Sequence, residues 1–259
     1  MPINYARRLT GSKRTALADR QLGLALAFVA GATNAGGFLA VQQYTSHMTG
    51  IVSAMADNIA LGFYPLVLQG AGALVSFVAG AACSAVMVNY ARRHRLQSEF
   101  AFPLLLEALL LLCFGVLGAW LARIEGLFVP ATVMLLCFIM GLQNAVITKL
   151  SHAEIRTTHV TGVVTDIGIQ LGKLVYWNSG AGSVAGRVIA DRRRLRLLIT
   201  LAGCFFAGGI AGAIGFKTLG YVSTVPLALI LVLLAGVPAV DDITAWARRW
   251  TAGRSGTGG

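Results

Sequence analysis

Six apolar runs stand out along the chain, at roughly 21–40, 65–89, 102–122, 127–148, 196–216 and 218–238. Each is near the 20 residues or so that one helix needs to cross about 30 Å of hydrocarbon. Two further stretches, 45–62 and 157–175, are apolar but interrupted by Ser, Thr, His, Asp and Gly. That pattern predicts broken or re-entrant helices. Lys and Arg collect in cytoplasmic loops, so their positions discriminate between topologies. If both interrupted stretches enter and leave on one side, 19 of the 21 Lys and Arg fall inside, and only Arg123 and Lys217 outside. If both stretches cross fully, six fall outside, including Arg92, Arg93 and Arg95. The expectation is an all-α membrane protein with six transmembrane helices, two re-entrant helices and both termini in the cytoplasm.

Composition agrees with that class. The chain has 259 residues, 56% of them hydrophobic and 12% charged, against about 25% charged in a soluble domain. It cannot cover itself in water, which excludes an ordinary cytosolic enzyme, a disordered tail and a disulfide-rich secreted scaffold. The 31 glycines follow no collagen period and fit close helix packing in lipid. Small residues recur every four positions, as Gly23, Ala27, Gly31 and Ala35, as Gly72, Ser76, Gly80 and Ser84, and as Gly208 and Gly212. Such stripes let helix backbones approach and could offer a homodimer face. The net charge of +11 is clustered between apolar runs. It reads as loops facing anionic lipid, with no nucleic acid as partner. Cys83, Cys113, Cys137 and Cys204 lie inside apolar runs without CxxC spacing. They read as small buried hydrophobes, and no metal or cofactor is expected.

An internal repeat organises the chain. Thr45-Ser46-His47-Met48-Thr49-Gly50 recurs as Thr157-Thr158-His159-Val160-Thr161-Gly162, and Asn34-Ala35 recurs as Asn144-Ala145. Order and spacing are both kept, so duplication explains the matches better than chance. This divides the chain into a basic cytoplasmic segment 1–20, a first membrane repeat 21–122, a second membrane repeat 127–238, and a cytoplasmic tail 239–259 whose Gly/Ser/Thr-rich end reads as disordered. Three crossings per repeat make the second copy run opposite to the first, an inverted-topology repeat of the kind many secondary transporters use.

With Thr33-Asn34-Ala35, Ser46-His47-Met48-Thr49-Gly50, Gly141-Leu142-Gln143-Asn144-Ala145 and the second hexapeptide in view, the chain resembles the YoaK-like bacterial membrane proteins, a family of unknown function. The resemblance spans about residues 20–240. It implies a bacterial inner-membrane protein of about six spans and supplies no activity.

Candidate chemistry follows from the broken stretches. Backbone breaks at membrane depth must be buried or line a watery cavity. Thr45, Ser46 and Thr49, and Thr157, Thr158 and Thr161, are natural helix N-caps, and each Gly would supply flexibility at the break. A helix of about 12 residues after each motif would place a positive dipole end near mid-membrane. Two such ends facing each other would suit a small polar or anionic solute. The expected binding residues are His47, Thr49, Ser46 and Asn34 from the first repeat, and His159, Thr158, Thr161 and Asn144 from the second. Intramembrane acids can carry protons. Asp166 and Asp57, near the two motifs, are the expected coupling residues, whereas Glu107 lies near a cytoplasmic end and is expected at the interface. GxSxG, Walker A, HExxH and in-context GxGxxG motifs are absent. The best reading is a small secondary transporter, with a membrane-embedded enzyme acting on a lipid-like substrate, or a membrane scaffold, as alternatives.

Overall fold

The computed structural model describes residues 16–94, 96, 99–121, 125–150, 160–176, 188–236 and 240. Among these, every regular element is helical. In chain order they are α1 (Ala16–Val41), α2 (Met48–Ala60), α3 (Tyr64–Arg93), α4 (Ala101–Leu121), α5 (Glu125–Leu150), α6 (Val160–Val175) and α7 (Arg192–Leu219). A 3₁₀ turn, Gly220–Ser223, leads to α8 over 224–236. Five helical stretches are long and apolar enough to cross a membrane. The last of these runs from Arg192 to Gly236 and is interrupted at Gly220, whose φ of 61° suits a residue without Cβ. The two interrupted stretches form short helices: α2 has 13 residues and α6 has 16.

Two helix pairs dominate the packing, and both are built on glycine. Where α1 meets α7, a Cβ on Gly31 would strike the Phe205 carbonyl, and one on Gly208 would strike the Phe28 carbonyl. Where α3 meets α5, a Cβ on Gly80 would strike the Phe138 carbonyl, and one on Gly141 would strike the Phe77 carbonyl. Each of the four helices therefore presents the same Phe-x-x-Gly unit, and each glycine receives its partner's phenylalanine carbonyl. Glycine is required because the backbones touch. Dispersion and weak Cα–H···O contacts then hold helices together where the hydrophobic effect, in lipid, does not.

These contacts also fix helix direction. Phe28, Ala32 and Gly36 lie against Gly208, Gly212 and Phe216 in turn, so α1 and α7 are parallel. Gly72 lies by Met134, and Gly80 against Phe138 and Leu142, so α3 and α5 are parallel. By contrast, the Gln143 side-chain amide donates to the Leu26 carbonyl (3.3 Å) while Gly37 faces Leu136, so α1 and α5 are antiparallel. It follows that α2 joins two opposed helices, α1 and α3, and that α6 joins the opposed pair α5 and α7. The small-residue stripes, expected to let helix backbones approach, do so inside the chain: Gly31, Gly72, Gly80, Gly208 and Gly212 all face neighbouring helices.

The main core gathers Leu22, Leu26, Leu104, Leu111, Ile139, Leu142, Leu201 and Leu231. A second cluster joins Val41, Ile51, Ala73, Phe114 and Leu136 beneath α2. Outward positions remain apolar: Val75, Val78 and Val86 on α3, and Phe206, Ile210 and Ile214 on α7, are more than 45% exposed. A belt of this kind faces acyl chains rather than water.

At its start, α7 carries Arg192, Arg193, Arg194 and Arg196, a placement the helix dipole opposes. Asp191 relieves them. Its carboxylate caps the helix by accepting from the Arg193 and Arg194 N–H groups (2.9 and 3.0 Å). The Arg194 N–H, then that of Arg193, holds the Asp191 carboxyl below its ordinary value of 3.8. A depressed carboxyl stabilises above its unfolded value and loses that contribution as pH falls through the folded one. Protection of the Arg193 and Arg194 amides, corrected for intrinsic exchange, should therefore fall on acidification below about pH 4. Asp191→Asn should keep the cap and flatten that dependence. Equal pH dependence in both proteins would show that Asp191 is not responsible.

Candidate solute site

The first hexapeptide runs from the loop after α1 into the first turn of α2, and the structure brings its Ser46 against the Asn-Ala pair. The Ser46 hydroxyl donates to the Asn34 side-chain oxygen at 2.9 Å. Asn34 is 9% exposed on α1, and Thr45 beside it is fully buried, near Gly37. α1 ends at Val41 because Gln42 adopts a left-handed φ of 55° while its N–H closes on the Phe38 carbonyl (2.7 Å). A non-glycine residue in that region is strained by about 1–2 kcal/mol. Strain of this kind gathers at functional positions.

The cap of α2 differs from the expected one. None of Thr45, Ser46 or Thr49 holds the N-cap position. His47 does, without a side-chain cap bond, while its carbonyl accepts from the Ile51 N–H (3.1 Å). The imidazole instead folds over the first turn of α2, where a Cβ on Gly50 would collide with the ring. Gly50 is an ordinary helical residue, since the positive-φ glycines among the described residues are Gly62 and Gly220. The glycine three places after the histidine makes room for a ring; it is not a hinge.

Beside His47 lies a cavity of about 470 Å³, walled by the end of α1, the loop after it, α2 and the start of α3. Gln42, Gln43, His47, Asn58 and Gln69 give it polar groups, and Phe38, Tyr44, Ile51 and Met55 give it apolar ones. Phe38 and Tyr44 stack with ring centroids 4.5 Å apart. No Lys, Arg, Asp or Glu lines it. Such a wall, mostly apolar with a few amides, is the usual make-up of a small-molecule pocket. Gln42, Gln43, Asn58 and Gln69 were not singled out in the sequence, because isolated amides carry no motif.

The other expected residues are dispersed. Thr49 is exposed on α2 and Thr161 on α6. Asn144 is half-buried on α5 and lines no part of the cavity, whose walls all come from 38–70. His159 and Thr158 lie outside the described residues, so the pairing of His47 with His159 does too. Asp57 is exposed on α2. Asp166 accepts from the Arg194 guanidinium at 2.9 Å, and Gln170, one turn along α6, accepts from the Asp191 N–H at 2.9 Å. That face of α6 docks the helix onto the start of α7. Glu107, expected at the membrane interface, is instead fully buried in the core. Among the described residues no group of three or more His, Cys, Asp and Glu gathers as a metal site would require.

Long apolar helices, glycine-seated helix pairs and a polar motif seated on a short interrupted helix define a multi-pass α-helical membrane protein. The chain belongs to the family described as "Protein of unknown function (DUF1275)", whose profile matches residues 22–237. It is similar to the UPF0700 transmembrane protein YoaK of Bacillus subtilis (strain 168), with 29% identity over 157 residues, covering 59% of this chain and 68% of that relative. No solved structure matches.

Proposed function

We propose that the protein is a small secondary transporter of the bacterial inner membrane, built from two inverted repeats, which takes an uncharged polar solute into the cavity beside His47. The observation that carries this reading is the cavity itself, placed where the repeated motif interrupts the membrane helices. A wall of amides, an imidazole and aromatic rings without fixed charge suits a neutral solute with an apolar body better than an anion.

Helix direction supports the inverted repeat. α1 and α5 carry the two Asn-Ala pairs, and α2 and α6 follow the two motifs. Exchanging α1 with α5 and α3 with α7 exchanges the two Phe-x-x-Gly interfaces, as a twofold relation between repeats would. Six crossings follow if α2 and α6 each return to the side they left. The ends of α1 and α5, and hence α2 and α6, then lie on opposite sides. The Arg92–Arg93 end of α3 and the arginine-rich start of α7 would share the cytoplasm.

Two measurements test the reading. Single cysteines at His94 and Gly62, in an otherwise cysteine-free chain, should be labelled from the cytoplasmic and the outer face respectively; labelling of both from one face would remove the six-crossing topology. Neutral solutes, screened against the detergent-purified protein, should include one that raises its Tm. A true ligand at about 100 times its Kd adds about 2.7 kcal/mol. That solute should then enter proteoliposomes in a protein-dependent way, and entry no faster than into protein-free vesicles would reject the transporter.

A further inference from the structure

Glu107 is unlike every other described acid. It is 0% exposed, and neither carboxyl oxygen has a hydrogen-bond partner among the described residues. It sits about 9 Å along α4 from Ala101, on the face that carries Leu104, Ala108 and Leu111, each no more than 1% exposed. Spacings of three and four residues put all four side chains on one helix face. The packing does not call for an acid there. α8 opens with the same lead: Pro226-Leu227-Ala228-Leu229-Ile230 aligns with Pro103-Leu104-Leu105-Leu106-Glu107, and Leu227 and Leu231 are buried as Leu104 and Ala108 are. An isoleucine, half-buried against the core, stands at the aligned position of α8.

Among the described residues, the surroundings offer no counter-charge. Of the elements packed against α4, α8 carries no ionisable residue. α5 carries Glu125 as its first residue, then Cys137 and Lys149, and the lysine is held by the Ala85 carbonyl (3.2 Å) and the Asn89 side-chain oxygen (2.7 Å) of α3. α3 itself carries Tyr64, Cys83, Tyr90, Arg92 and Arg93, with Arg92 paired to Glu99 at 3.0 Å. Tyr221 lies by Gly118, toward the far end of α4. Cys113 is on α4 itself. None of these gives either oxygen a bond. An ionised carboxylate with no partner is not sustained in such a place, and intramembrane acids mark ion and proton pathways.

The geometry points to Glu107 as a proton-binding site of the bundle. In the conformation described it holds its proton. In a conformation that admits water to the inner face of α4, the Oε–H bond breaks, the proton passes to water, and the carboxylate remains hydrated. This rests on the transporter reading only for the use of the proton, as the coupling ion. Asp57 is exposed on α2 and Asp166 is paired with Arg194, so neither shares the unpartnered burial of Glu107.

The test needs no substrate. Infrared spectra of the whole protein in phosphatidylcholine nanodiscs, at about pH 7, should contain the C=O stretch of an unionised carboxyl. Glu107→Gln should remove that band. Glu107→Ile, which installs the residue of α8, should remove it too and leave thermal stability equal or higher. Identical spectra for the wild type and Glu107→Gln would show the side chain to be ionised at rest and overturn the proposal. So would a large loss of stability in Glu107→Ile, which would reveal a structural polar contact. If the band behaves as expected but no neutral solute crosses proteoliposomes, the transporter reading fails while the proton site stands.

Discussion

Adding a single methyl group at Gly80 should destabilise the protein by about 1–3 kcal/mol, the usual range for overpacking a tight contact. The Cβ of Gly80→Ala would sit on the Phe138 carbonyl, which is backbone and cannot swing aside. The two helices must then separate and give up contacts along their whole crossing. Gly31→Ala should do the same at the α1–α7 pair, through the Phe205 carbonyl. Gly203→Ala and Gly168→Ala are the controls, because a Cβ at either position meets nothing within 4 Å. These should be neutral, or stabilising by up to about 1 kcal/mol, since alanine orders a helix at less entropic cost. Gly80→Ala combined with Gly141→Ala should lose less than the sum, because the first change already parts the same pair of helices. Reversible unfolding in mixed micelles provides the measurement. If Gly80→Ala proves as harmless as Gly203→Ala, the reciprocal glycine contact is absent from the folded protein.

The second large effect is expected at Ala54. It lines the cavity from α2, and its own side chain is exposed. Ala54→Trp should fill much of the space beside His47, leave unfolding unchanged and abolish solute-dependent stabilisation and uptake. Asn58→Leu, one turn further along the same wall, should keep the volume but remove a polar contact, weakening binding about tenfold at roughly 1.4 kcal/mol per lost hydrogen bond. The pair separates obstruction from recognition. Full uptake by a folded Ala54→Trp protein would mean that solute takes another route.

The two interrupted helices show where residue order was informative and where it misled. Their polar letters, and the distribution of arginines, were enough to predict short elements between opposed spans, and α2 and α6 are such elements. The chemistry within the motif was less legible. Serine, threonine and glycine before a helix suggest caps and a hinge, by local propensity. Instead Ser46 turns back to Asn34, twelve residues earlier, and Gly50 accepts the His47 ring. Both outcomes depend on how α1 stops at Gln42, a left-handed residue with no glycine or asparagine to announce it. Four Phe-x-x-Gly units were present in the apolar runs, but the small-residue stripes alone did not say which helices they would join.

Sequence alone determined the class of this protein. Runs of about 20 apolar residues with half the usual charge leave a chain no stable arrangement except helices in lipid, because each backbone group must find its partner within its own segment. It also showed the paired Thr-(Ser/Thr)-His-x-Thr-Gly and Asn-Ala motifs, since repeated letters are legible independently of folding. What only the tertiary structure decided was adjacency: α1 with α7, α3 with α5, Asn34 with Ser46, and Glu107 with the core instead of the interface. The physical reason is that burial inside a bundle depends on which face of each helix meets a neighbour. In helices that are apolar all round, hydrophobic periodicity no longer marks that face. Close backbone packing at glycine marks it instead, and that is a property of two helices together.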